Sequence, residues 1–168
     1  MKKSPYLLIV VALFIVHTTQ AQSEYKSAIG GRIGNPFAFS IKHFITEAGA
    51  IEGYAGFSNA TYGANFNPVL GGMYQHHFPI GDIDGFKWYV GGGALLQFYS
   101  YKDKDNNGYY DGYSKTGFGL NGVGGIDYKF KKIPLNLSAD WMPTIFLTDV
   151  PDNFYPGYGS IAARYTFC

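Results

Sequence analysis

The sequence predicts an all-β chain: a cleavable leader followed by an eight-stranded, up-and-down antiparallel transmembrane β-barrel. Three observations predict it. Apolar and polar residues alternate with period two, which marks strands with one apolar and one polar face. The polar faces carry Arg32, Lys42, Glu52, Asp127, Lys129, Asp140 and Arg164 in mid-strand or near it. The connections fall into a short set and a long set that would lie at opposite ends of a barrel.

Composition narrows the class further. The chain has 168 residues, enough for one domain with a real core. Its 13 basic and 12 acidic side chains nearly cancel, which argues against a nucleic-acid partner and its basic face. A single cysteine, Cys168, excludes an intramolecular disulfide framework and a multi-cysteine zinc site. The 23 glycines sit beside 15 tyrosines and 14 phenylalanines, a mixture unusual for a soluble enzyme.

The first element is an address. Lys2 and Lys3 precede an apolar run, Tyr6–Val16, and a polar stretch ending Thr19-Gln20-Ala21. That is the anatomy of a secretory signal cut after Ala21. The run is too short to span a bilayer as a helix, which takes about 18–20 residues. Residues 1–21 are therefore expected to be a signal peptide and residues 22–168 the exported domain. Loss of Lys2 and Lys3 tips the formal charge from +1 to −1.

Eight strands follow, predicted near Ala28–Gly34, Phe37–Ile45, Ala50–Phe57, Val69–Phe78, Phe86–Tyr101, Thr116–Phe130, Ile133–Phe146 and Gly159–Phe167. The alternation is plainest in the seventh, where Ile133, Leu135, Leu137, Ala139 and Trp141 interleave with Asn136, Ser138 and Asp140. In the sixth, Phe118, Leu120, Ile126, Tyr128 and Phe130 share one face, with Asn121, Asp127 and Lys129 opposite. The connections after strands two, four and six are short. Those after three, five and seven (58–68, 102–115 and 148–158) are longer and rich in Asn, Asp, Gly and Tyr. The very short Asn35-Pro36 connection breaks the pattern.

The direction of the apolar face separates a soluble sandwich or lipocalin-like binder from a membrane barrel, which turns its apolar side to lipid. Aromatic placement favours the membrane. Phe44, Phe78, Phe86, Trp88, Tyr128, Phe130, Tyr165 and Phe167 cluster toward one end; Phe57, Phe98, Phe118 and Phe146 lie toward the other. Two girdles suit the two headgroup layers. Arg32, Lys42, Glu52, Asp127, Asp140 and Arg164 are then expected to pair as a cluster filling the lumen.

On these residues the chain resembles the small OmpA/OmpX-type outer-membrane β-barrels of Gram-negative bacteria, the porin-like "outer membrane protein beta-barrel domain" group. The resemblance covers residues 28–168. Its most telling stretch is Gly159–Phe167, similar to the C-terminal β-signal read by the barrel-assembly machinery, with Ile161, Ala163, Tyr165 and Phe167 in the alternating positions. Cys168 departs from that pattern by following the closing aromatic. The resemblance implies an outer-membrane location, lipid and the assembly machinery as partners, and a structural or surface role rather than catalysis. Extracellular ligands would meet loops 58–68, 102–115 and 148–158. A narrow channel, a small-ligand barrel and a lipid-modifying enzyme are the alternatives.

Two constellations invite chemistry. Asp103, Asp105, Asn107 and Asp111 follow the D-x-D-x-N-G spacing of a calcium loop, whose alternate oxygen ligands suit Ca²⁺. Ser114 stands where such a loop has its bidentate Glu, and the plainer reading is a polar hairpin loop with no cofactor. His43, His76 and His77 suggest a catalytic or metal site. Adjacent histidines on a strand face opposite ways, however, and there is no G-x-S-x-G elbow, so they are read as interfacial.

Overall fold

The computed structural model describes residues 25–58, 67–104, 110–148 and 153–167; side chains are described throughout these except at 100–114. The expected leader at 1–21 and Cys168 lie outside the described residues. Ten strand segments form the wall. They are β1 (Ser27–Asn35), β2 (Phe37–Phe44), β3 (Gly49–Ser58), β4 (Asn67–Pro79), β5 (Phe86–Lys104), β6 (Tyr110–Lys129), β7 (Leu135–Trp141), β8 (Thr144–Phe146), β9 (Phe154–Tyr155) and β10 (Gly159–Phe167). No helix occurs among the described residues.

Each segment pairs antiparallel with its neighbours, and β1 closes on β10 from Ser27↔Phe167 to Asn35↔Gly159. The ten segments make eight staves. β7 and β8 are one stave interrupted at Met142-Pro143, because both pair with β6 in a single continuous register. Proline has no N–H for the ladder, so the interruption falls there. β9 continues β10 along β8, past an irregular stretch where Trp141 Nε1 donates to Pro156 O at 2.7 Å.

Stagger sets the shape. Moving from partner to partner around the wall from Asn35 leads through Gly159, Trp141, Gly124, Val90, His76 and Gly49 to the level of Tyr25, about ten residues down β1. With strands about 4.8 Å apart and a rise of about 3.3 Å per residue, that stagger tilts eight staves by about 40° and gives a backbone radius of about 8 Å. Such a lumen holds side chains and little else.

The two ends differ as expected. Connections 45–48, 80–85 and 130–134 share one end with Ser27 and Phe167. The β1–β2 turn, where Gly34 adopts φ +147°, lies at the other, together with the strand ends Ser58, Asn67, Lys104 and Tyr110. The third hairpin is longer than its sequence suggested. β5 and β6 stay paired out to Lys104↔Tyr110, so residues expected in loop 102–115 extend the ladder. Tyrosines at 101, 110 and 113 suit a strand as well as a loop, and composition alone did not separate the two.

The apolar face points outward. Ile33, Phe37, Phe39, Ile41, Ile51, Leu70, Val90, Leu120, Ile126, Ile145 and Ile161 are exposed, while Arg32, Lys42, Glu52 and Arg164 are fully buried. At the short-loop end Phe78 stacks on Trp88, and Tyr128 meets Phe86 and Phe130 edge-on. Phe37, Phe57, Phe98, Phe118 and Trp141 stand exposed toward the other end. Two residues expected in the girdles lie inside. Phe44 packs with Tyr25, Ala28 and Ala50, and Phe146 joins the upper lumen core. Phe44 is in phase with Lys42, so it must share the inward face.

Candidate functional site: the charged lumen

The lumen is layered. Near the short-loop end, His77 lies between the rings of Phe44 and Tyr89, each centroid 4.9 Å away. Near the other end, Tyr54, Val69, Leu95, Met142, Phe146 and Tyr158 form an apolar layer. Tyr158 also closes a polar knot there: its hydroxyl meets Gln97 and Ser58, and Ser58 Oγ donates to Asn35 Oδ1 at 2.8 Å.

Between these layers the wall sets its charges face to face. Glu52 on β3 is the hub. One oxygen, Oε1, accepts from Arg32 Nη1 on β1 at 2.6 Å and also from Arg164 Nη2 on β10, while Oε2 accepts from Gln75 Nε2 at 2.8 Å. Arg32 reaches Asp140 Oδ1 with its other nitrogen at 2.6 Å, and its guanidinium lies 5.5 Å from the Tyr54 ring centroid. Asp140 Oδ2 accepts from the Tyr89 hydroxyl at 2.9 Å. Arg164 fills its remaining valences on Ser40 Oγ and Ser138 Oγ at 2.9 and 2.7 Å. Nearer the short-loop end, Lys42 Nζ on β2 donates across the lumen to Asp127 Oδ1 on β6 at 2.8 Å.

Three cations and three carboxylates thus neutralise one another where the wall excludes solvent. A buried charge is tolerable only when paired and hydrogen-bonded, and here each of the six charged groups has an oppositely charged partner, with Arg32 Nε left without a hydrogen-bond partner among the described residues. Glycines make room at two points. A Cβ on Gly71 would lie 2.3 Å from the Tyr54 ring, and one on Gly125 would lie 2.8 Å from the Tyr89 ring.

The structure therefore brings Arg32, Lys42, Glu52, Asp127, Asp140 and Arg164 into one lumen. Lys129 stays outside the network, donating to the carbonyls of Phe130 and Ile133 at the β6–β7 connection. Asn136 and Ser138 lie on the polar face expected for the seventh strand, whereas the supporting partners Tyr89, Gln75 and Ser40 carried a signal that the sequence alone had not been asked for. Each lies on the inward phase of its strand, as Ser40 does with Lys42 and Ser138 with Asp140.

Of the histidines, His43 accepts or donates at Ser27 Oγ (2.8 Å) and His76 at Tyr74 OH (3.1 Å), both on exposed sites. His77 is not interfacial: it is buried inside the lumen, with Nδ1 3.3 Å from Ala48 O. In the calcium-like segment, Asp103 and Asp111 pair directly across the β5–β6 ladder. Asp105 and Asn107 lie outside the described residues. Among the described residues no three His, Cys, Asp or Glu side chains gather as a metal site.

A closed barrel with apolar residues outside and a neutralised charged lumen inside defines the small transmembrane β-barrel class. No family model matches the chain, and no curated protein does. Among solved structures it is similar to the crystal structure of the N-terminal β-barrel domain of Pseudomonas aeruginosa OprF. The TM-score is 0.52 at 16% identity, over 82% of this chain and 89% of that one. That likeness is one of fold, a closed antiparallel β-barrel.

Proposed function

We infer that the chain is an integral outer-membrane protein with a structural or surface-contact role through segments 58–68, 102–115 and 148–158, and that it neither conducts in bulk nor catalyses. The observation that carries this reading is the inverted barrel: charges sealed inside, aliphatic and aromatic side chains outside. In water such an outer face would aggregate, whereas in a bilayer it is the solvated face. The packed lumen supports the exclusion of bulk transport. On this reading residues 1–21 direct export and Gly159–Phe167 presents Ile161, Ala163, Tyr165 and Phe167 to the assembly machinery from the outer face of β10.

The test is electrophoresis of washed outer membranes in SDS, boiled against unboiled, followed by planar-bilayer recording of the purified barrel. A heat-dependent mobility shift in the membrane fraction, without steady ohmic conductance, is expected. A soluble protein with no shift would overturn the membrane reading. A shift accompanied by stable conductance would replace the surface role with a channel.

A further inference from the structure

Lys42, Asp127 and Asn136 form a group whose chemistry goes beyond charge balance. Lys42 Nζ donates to Asp127 Oδ1 at 2.8 Å, and Asn136 Nδ2 donates to Oδ2 of the same carboxylate, also at 2.8 Å. One carboxylate thus accepts from a primary amine through one oxygen and from a carboxamide through the other, and the same carboxamide nitrogen also donates to Tyr128 O at 3.3 Å. All three side chains are buried, and the Lys42 nitrogen lies 4.8 Å from the Tyr89 ring centroid and 5.7 Å from that of Phe44. Asn136 Oδ1 has no hydrogen-bond partner among the described residues. Arg164 stands directly opposite Asn136 in the β10–β7 ladder.

We propose that Lys42 and Asn136 condense within the folded barrel to an intramolecular isopeptide bond, with Asp127 carrying the protons. The ammonium passes one proton to Asp127 along the existing hydrogen bond, since a neutral pair needs less solvation than an ion pair in a dry site. The freed amine attacks Asn136 Cγ and the new C–N bond forms. Negative charge gathers on Oδ1, the atom with no hydrogen-bond partner among the described residues, while Arg164 occupies the register position opposite on the neighbouring strand. Asp127 then delivers its proton to Nδ2, the C–Nδ2 bond breaks, and ammonia leaves. The second proton shed by Lys42 Nζ passes to Asp127 or departs with ammonia as ammonium. No oxidant, reductant or further reactant enters. Fixing amine and amide on one carboxylate makes the step intramolecular, which raises the effective concentration of the amine many orders of magnitude above that of free reactants. The product would join β2 to β7 across the lumen and staple the loop between them, as a disulfide does.

The test is peptide mapping of the mature barrel purified from membranes, after boiling and trypsin digestion. Expected is a branched peptide in which trypsin no longer cuts after Lys42, joined to Ile133–Arg164 and lighter by one ammonia than its two parts. Intact mass alone would mislead, because an N-terminal Gln22 also loses ammonia on cyclising. Asp127→Ala should abolish the branch while the heat-dependent gel shift persists. Should that variant fail to fold, the wild-type digest still decides. Recovery of cleaved Lys42 and linear, unmodified Ile133–Arg164 from heat-shifted wild-type protein overturns the proposal. So does a branch on Asp127 lighter by one water, which would make the carboxylate the acyl donor.

Discussion

Glu52→Gln is the sharpest perturbation of the lumen. Glu52 accepts from Arg32 and Arg164 through one oxygen and from Gln75 through the other, with no exposed side-chain surface. The substitution keeps the shape and removes the charge, so the two guanidiniums face one carboxylate, Asp140, in place of two, and the cluster acquires a net positive charge. Removing one partner of a buried ion pair costs about 3–5 kcal/mol. Glutamine still accepts one hydrogen bond, which places the expected loss near 3 kcal/mol, roughly a hundredfold in the folding equilibrium. The assay is urea unfolding in lipid bilayers or detergent, followed by the fluorescence of Trp88 and Trp141, both on the outer face. Lys131→Ala is the reference. Its pair with Asp84 is 57% and 67% exposed, so its loss should cost less than about 1 kcal/mol. Equal midpoints for Glu52→Gln and Lys131→Ala would refute the reasoning, because they would mean that water already solvates Arg32 and Arg164. Replacing Arg32, Glu52, Asp140 and Arg164 together by leucine or methionine should recover most of the loss, since no charge of the cluster is then left unpaired and buried ion pairs rarely outperform well-packed apolar residues.

Three further outcomes follow from the geometry. Val90→Arg puts a charge on the outer face and should destabilise the bilayer-embedded barrel by about 2–4 kcal/mol; a change below about 0.5 kcal/mol in the same urea assay would mean that the face meets water. Gly71→Ala should cost about 1–3 kcal/mol because its Cβ meets the Tyr54 ring, whereas Gly53→Ala, with nothing within 4 Å, should be neutral or slightly stabilising; equal midpoints would refute that packing. Tyr158→Ala together with Phe146→Ala removes two side chains that fill the upper lumen. Single-channel recording should then still show no bulk conductance, because the Glu52 network below remains; steady porin-like currents would show that the upper layer alone seals the barrel.

The sequence by itself determined the class of fold, the phase of most strands and the charges that would be buried. Period two suffices for this, because successive side chains on a strand face opposite ways wherever the strand pairs. Lys42 and Phe44 were therefore legible as companions even though Phe44 was assigned to a girdle on aromatic character alone. The pairing inside was not legible. Lys42 meets Asp127 across 85 residues of chain and Arg32 meets Asp140 across 108, and no local pattern encodes either distance. Those contacts follow from eight registers accumulated around the wall, whose stagger tilts the staves and decides which inward side chains share a level. The length of the β5–β6 hairpin depends likewise on how far the two strands stay paired. Tertiary structure alone decided the layered lumen, because a closed barrel leaves its inward side chains only one another as partners.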